Sequence, residues 1–146
     1  MMSDFNRVFL DTAPLIYFFD EDSPLCADTT GLFTHILQHQ GNLLTSVITC
    51  AEYLVHPYRN ENISAVNAFW QFLAESDIYI CDIDRNIADK AARIRAEYRS
   101  IKAFDSLQLA CACCTNCDFF LTNDKQLRQF SELRCITVED WAYEVQ

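Results

Sequence analysis

Two glycines and three prolines in 146 residues leave little material for flexible linkers, and neither a low-complexity tract nor an internal repeat is present. No apolar run reaches the ~18 residues that span a bilayer, so no membrane association is expected. The segment Met1 to Arg7 lacks a charged stretch followed by an apolar core, which predicts a cytoplasmic rather than a secreted protein. Basic residues are scarce, at 11 against 21 acidic ones, for a net charge of −10. That balance excludes a protein holding nucleic acid by surface charge alone. It suits acids gathered around a cation, and equally an acidic surface that keeps a protein soluble. Neither a glycine-rich phosphate loop nor GxGxxG occurs, and the GxSxG elbow of a serine hydrolase is missing.

What is present reads as an ordered globular chain, 51% hydrophobic and 22% charged. Its length predicts one domain, residues 1–146, large enough to fold without disulfides or zinc. Eight cysteines fall largely inside apolar segments (Cys50, Cys81, Cys111, Cys113), where reduced cysteine behaves as a small hydrophobe.

Short apolar runs at Arg7–Leu10, Leu43–Thr45, Ile78–Cys81, Asp118–Leu121 and Cys135–Val138 predict five strands. Helical spacing lies between them. It covers Pro14–Phe19, a segment opening at Ser23-Pro24 and ending at Gly41, and one capped by Ser46 and stopped before Pro57. Ile63 to Leu73, a segment capped by Asp84, Phe104 to Cys114, a short turn at Leu127–Phe130 and a tail Glu139–Val145 complete the set. This alternation predicts an α/β fold, a three-layer α/β/α sandwich around a mostly parallel five-stranded sheet. Ligands of such sheets bind beyond the carboxyl ends of the strands, where the strand order reverses.

Four acids fall at that edge. Asp11 follows the first strand and Asp124 the fourth, Glu52 lies in the helix after the second, and Asp105 opens the helix leading into the fourth. Strand ends ~4.8 Å apart let such side chains converge. Converging carboxylates repel unless protons or a cation join them. Mg²⁺ or Mn²⁺ prefers such oxygen ligands, and metal held there supports phosphodiester hydrolysis without a covalent nucleophile. Aspartate also caps helices, so spacing alone leaves both readings open. Asp20, Glu21, Asp22, Asp82 and Asp84 read as a solvated turn, a strand flank and a cap.

Four segments, in order, resemble the PIN-domain family and within it the VapC-type toxins of toxin–antitoxin pairs. They are Phe9-Leu10-Asp11-Thr12-Ala13-Pro14-Leu15-Ile16-Tyr17, Thr45-Ser46-Val47-Ile48-Thr49-Cys50-Ala51-Glu52, Phe104-Asp105-Ser106-Leu107-Gln108-Leu109-Ala110 and Phe120-Leu121-Thr122-Asn123-Asp124. The resemblance implies a PIN-like fold and a metal-dependent endoribonuclease with Asp11, Glu52, Asp105 and Asp124 as catalytic, metal-binding acids. Thr122 would contribute to the site or to the shell around it. Homodimers and a protein antitoxin whose tail covers the site are also implied. Tyr17, Phe18, Phe19, Phe69 and Trp70 are candidates for those surfaces, or for the core. One departure stands out: Phe104 occupies a position where many relatives carry proline.

An RNA substrate needs cations beside the acids. Arg93, Arg95, Arg99 and Lys102 precede Asp105, and Lys125 and Arg128 follow Asp124; they read either as a phosphate clamp or as a solvated helix face. Cys114-Thr115-Asn116-Cys117 has no second ligand pair for zinc, and His35 and His39 lack the acid of HExxH. The rival readings are a stand-alone nuclease of the same fold, a phosphatase or phosphoreceiver domain, and a binding domain without catalysis. The DxDxT of aspartyl-nucleophile phosphatases is absent after the first strand.

Overall fold

The computed structural model describes residues 7–144. Five strands, β1 (Arg7–Leu10), β2 (Asn42–Ser46), β3 (Tyr79–Cys81), β4 (Phe119–Thr122) and β5 (Arg134–Thr137), form one sheet in the order β3-β2-β1-β4-β5. Every neighbouring pair is parallel, so the expected sheet is parallel throughout its described strands. Among the described residues seven helices surround it: α1 (Thr12–Phe19), α2 (Cys26–Gln38), α3 (Val47–Arg59), α4 (Ile63–Glu75), α5 (Arg85–Glu97), α6 (Ala103–Cys114) and α7 (Val138–Glu144). A 3₁₀ turn spans Lys125–Gln129. Val145, the last residue expected of the tail, lies outside the described residues.

The central strands are apolar on both faces, as a sheet covered on both sides requires. Side chains alternate along β1. Val8 and Leu10 join the core under α1, α2, α3, α4 and α7, with Leu15, Phe33, Leu54, Phe69 and Trp141. Phe9 faces the other way, into the core under α5 and α6 with Ile87, Ile94 and Leu109. There it stacks on Phe120 of β4 at 5.4 Å between ring centroids. The three expected layers are therefore present. Phe18 and Phe69 belong to the first core, stacked on Phe72 and Tyr53, whereas Trp70 is exposed.

Several boundaries differ from the sequence expectation for local reasons. The second helix starts at Cys26, because Ser23 turns back to accept a bond from Leu25 N at 3.2 Å instead of capping a longer helix. Pro57 does not stop α3. It lies in the last turn, where its missing N–H removes one bond only. Val138 opens α7 rather than closing β5.

Four helices close on residues in the left-handed region, and none of the four is glycine: Gln40 (φ 64°), Glu61 (φ 53°), Asp77 (φ 50°) and Asn116 (φ 58°). In each case the next amide returns to the carbonyl five residues back: Gly41 to Ile36, Asn62 to Pro57, Ile78 to Leu73 and Cys117 to Ala112, at 2.8–3.0 Å. This is the Schellman closure, in which glycine usually takes the left-handed place. Gly41 thus follows the stop of α2 rather than making it.

Candidate active site

The strand order reverses beside β1. From β1 the chain moves outward to β2 and β3, then returns to the other side of β1 as β4. Leu10 is in register with Leu121, and Asp11 N donates to Leu121 O at 2.9 Å. Asp11 therefore leaves the sheet level with Thr122, at the carboxyl ends of the two central strands.

That edge opens into a cleft of about 600 Å³ lined by Asp11, Glu52, Asp105 and Asp124, with Thr12, Ala13, Ile16, Thr122 and Asn123 between them. Each acid has its own support. Asp11 caps α1: its Oδ1 accepts from Thr12 N at 2.9 Å and from Gln108 Nε2 at 3.4 Å, and its Oδ2 accepts from the Thr122 hydroxyl at 2.9 Å. Glu52 projects from α3 and accepts from the Thr12 hydroxyl at 2.6 Å. Asp105 stands in the first turn of α6. Asp124 caps the 3₁₀ turn by accepting from Gln126 N at 2.9 Å, and its own N–H donates to Thr122 at 3.1 Å. Capping and convergence on the cleft hold together at Asp11 and Asp124.

Beneath the acids lies a buried polar chain. Gln108, 1% exposed, accepts from the Ser46 hydroxyl and donates to Thr49 Oγ1 at 2.6 Å as well as to Asp11. A single α6 side chain thus joins the helix-start residue Ser46, helix α3 and the end of β1. The sequence places Gln108 within a motif without giving it a role; one glutamine in an otherwise apolar helix is the signal that could have found it. Thr12 and Thr49, equally silent in sequence, are further supports that only the fold reveals.

Electrostatics follow the crowding. Burial pushes the Asp11 carboxyl up, with Glu52 adding to it, while the bonds from Thr12, Thr122 and Gln108 pull the other way. Asp105 is raised from 3.8 to about 6, first by burial and then by Asp11, Asp124 and Glu52, with Lys102 opposing. No cationic side chain lines the cleft among the described residues. Its donors are carboxylates, hydroxyls and an amide, with no thiolate or imidazole, a set that fits a hard divalent cation such as Mg²⁺ or Mn²⁺. No three acid, histidine or cysteine side chains among the described residues already stand as a closed cage. An open arrangement suits magnesium, which usually keeps several waters.

The basic residues divide. Arg128 pairs with Asp140 of α7, and Arg93 with Asp89 at 2.9 Å. Arg95, Arg99, Lys102 and Lys125 are exposed. Thr122 is 1% exposed with its hydroxyl committed to Asp11, which makes it a support of that acid. All eight cysteines are free thiols. Burial pushes Cys113 and Cys117 up to about 11 and Cys135 to about 12, as expected of packing groups. The His35 and His39 rings lie 4.2 Å apart, and neither lines the cleft. A neighbouring groove of about 490 Å³ shares Ile16 and Glu52 with the cleft and continues past Phe19, Tyr53 and His56.

A parallel sheet whose reversal point gathers carboxylates defines an acid-centred α/β domain. The model of the PIN domain matches residues 8–133, and the chain belongs to the PIN-domain family. Among solved structures, a chain of VapBC2 from Rickettsia felis, bound to a DNA fragment from its promoter, is similar over 90% of this chain and 98% of its own. Its TM-score is 0.75 at 16% identity. A chain of FitAcB from Neisseria gonorrhoeae matches with the same coverages, a TM-score of 0.73 and 18% identity. VapC20 of Mycobacterium tuberculosis, a sarcin-ricin loop cleaving toxin, covers 87% of this chain and 98% of its own, with a TM-score of 0.66 and 14% identity. At these identities the likeness is one of fold. No curated protein matches in sequence. Among the described residues, no helix is long and apolar enough to cross a membrane.

Proposed function

We propose that this chain is a metal-dependent endoribonuclease that hydrolyses RNA phosphodiester bonds, acting as the toxin of a toxin–antitoxin pair. The observation that carries the reading is the meeting of Asp11, Glu52, Asp105 and Asp124 in one cleft that contains no cation of its own. Membership of the PIN-domain family supports it. So does the company of fold neighbours described as toxin–antitoxin complexes, and as a toxin that cleaves the sarcin-ricin loop.

Asp11, Glu52, Asp105 and Asp124 would hold Mg²⁺ or Mn²⁺, which supplies charge neutralisation at the phosphate and a lowered pKa for attacking water. The chain's own groups do the rest. Thr122, Thr12 N and Gln108 fix both oxygens of Asp11 before any substrate arrives, so little reorganisation is needed at the moment of reaction. Held in this way, Asp11 suits a fixed ligand better than a nucleophile that must swing to phosphorus. Burial and the three neighbouring acids raise Asp105 to about 6 in the metal-free chain, and a bound cation would relieve that crowding. Arg99, Lys102 and Lys125 would meet phosphates flanking the cleft.

For the partners, the groove beside Glu52 is open to an antitoxin segment. Val55 and Tyr58 of α3, with Ile63 and Trp70 of α4, are exposed apolar residues that a second copy would cover in a homodimer. The deciding experiment incubates purified protein with labelled cellular RNA in Mg²⁺, in Mn²⁺ and in chelator. Cleavage that needs metal and disappears in Asp11→Asn is expected; metal-independent cleavage, or full activity in that variant, rejects the assignment.

A further inference from the structure

A large apolar ring stands unexplained next to the acids. Phe104 is the second residue of α6, directly before Asp105, and is 54% exposed. Its Cα lies one step of ~3.8 Å from that of Asp105, which lines the cleft. The packing of α6 does not use it: Ser106, Gln108, Leu109 and Ala110 turn inward, while Phe104 does not. Among the described residues it has no ring partner, in a chain whose other core aromatics stack extensively. A phenylalanine left 54% exposed forgoes much of the burial that would stabilise the fold.

Its neighbours supply the complement. Lys102, two residues earlier, is exposed and close enough to Asp105 to act on it electrostatically. One helical turn therefore carries a flat apolar face, a cation and a carboxylate of the cleft. These match the base, the phosphate and the reacting linkage of a nucleotide. Proteins hold unpaired nucleotides by this combination, stacking a splayed base on an aromatic ring beside a basic group. A base within a duplex is already stacked and offers no free face.

We propose that Phe104 forms a nucleobase-stacking subsite, which takes an unpaired base next to the phosphodiester held at the acids while Lys102 meets the adjoining phosphate. The inference rests on the nuclease reading and assigns Phe104 a contact with one base of that substrate. Stacking tolerates any base, so the subsite adds affinity for an unpaired base rather than a sequence code.

The test uses the full chain and its Phe104→Ala, Phe104→Tyr and Phe104→Trp variants. The probes are a single-stranded oligoadenylate of about twelve nucleotides, within the range of single-strand site sizes, the same strand with one abasic sugar moved along it, and the strand annealed to its complement. Anisotropy in low salt without metal reads binding. Phe104→Ala is expected to bind the single strand about five- to a hundredfold more weakly, with the Phe104→Tyr and Phe104→Trp variants keeping native affinity. Placing the abasic sugar at one position should erase the difference, and the added indole fluorescence of the Phe104→Trp variant should be quenched on binding. Melting temperatures of all variants should match. Equal affinity of Phe104→Ala and the native chain for the single strand, or a loss equal at every abasic position, overturns the subsite while leaving metal-dependent cleavage intact. A Phe104→Ala variant that binds normally but dissociates in light scattering assigns the ring to a protein contact and likewise overturns it. If the native chain neither binds nor cuts RNA, the nuclease reading falls and the subsite with it.

Discussion

The two ends of the sheet treat acidic residues in opposite ways. At the amino end, Asp118 accepts from Arg7 N at 3.0 Å, and the Arg7 side chain reaches Thr115 O at 2.9 Å, so the start of β1 is latched to the turn before β4. At the carboxyl end of the same two strands, four carboxylates face one cleft with no cationic side chain lining it among the described residues. The first arrangement satisfies its acid and contributes to the fold. The second leaves charge in mutual repulsion, with burial and three neighbouring acids all raising Asp105. Acids that a protein holds at a cost to its own stability are candidates for chemistry rather than architecture.

The strongest way to break this contrast is to remove one repelling charge. Asp105→Asn should reduce metal-dependent RNA cleavage to background. It should also stabilise the metal-free protein at neutral pH, by about 1 kcal/mol after allowing for solvent screening. Cleavage assays and thermal melts read the two effects; a destabilised Asp105→Asn would place this acid with Asp118 as a structural group.

Next in size is the support beneath the acids. Gln108→Leu leaves Ser46 and Thr49 without their partner and frees one side of Asp11. A stability loss of about 2 kcal/mol is expected from the unsatisfied buried groups. Cleavage should fall ~10–100-fold, as for other residues that orient metal ligands. Denaturant titration and single-turnover rates separate the two.

A smaller effect follows pH. A carboxyl whose folded pKa exceeds its unfolded value contributes stability below the unfolded value and loses it as pH rises through the folded one. For Asp105 the window runs from 3.8 to about 6. Relative to Asp105→Asn, the metal-free native chain should therefore lose stability between about pH 4 and pH 7. Saturating Mg²⁺ should flatten that difference; urea midpoints at several pH values check it, and a slope of the opposite sign rejects it.

The smallest effect lies outside the site. Gln40→Gly relieves a left-handed residue at the end of α2, and should stabilise the fold by ~0.4–1 kcal/mol without changing cleavage. Calorimetry and the RNA assay together check that separation.

Much of the layout was legible in the sequence, because a strand buried on both faces must be a continuous apolar run, as Phe9-Leu10 and Phe119-Phe120-Leu121 are. The acids were legible as well: Asp11 and Asp124 closely follow strands, Asp105 opens a helix, and Glu52 lies in the helix after β2. What escaped depended on contacts distant in sequence. Nothing near Arg128 reveals its pairing with Asp140 on α7. Nothing near Gln108 reveals that Ser46 and Asp11 arrive on either side of it. The left-handed helix ends were missed because glycine marks them elsewhere, whereas here Gln40 and Glu61 accept the strain. Pro57 misled because a proline in a last turn disturbs little.

The bond between Thr122 and Asp11 joins residues 111 positions apart. Parallel pairing of β1 with β4 therefore waits until the chain has been made through β4. A polypeptide still emerging from the ribosome holds Asp11 and Glu52 but has no β4 to seat them against, and Asp124 has not been made. Chains released early, or clipped ahead of β4, lack an assembled centre altogether. The architecture thus delays assembly of its acidic edge until β4 has been made.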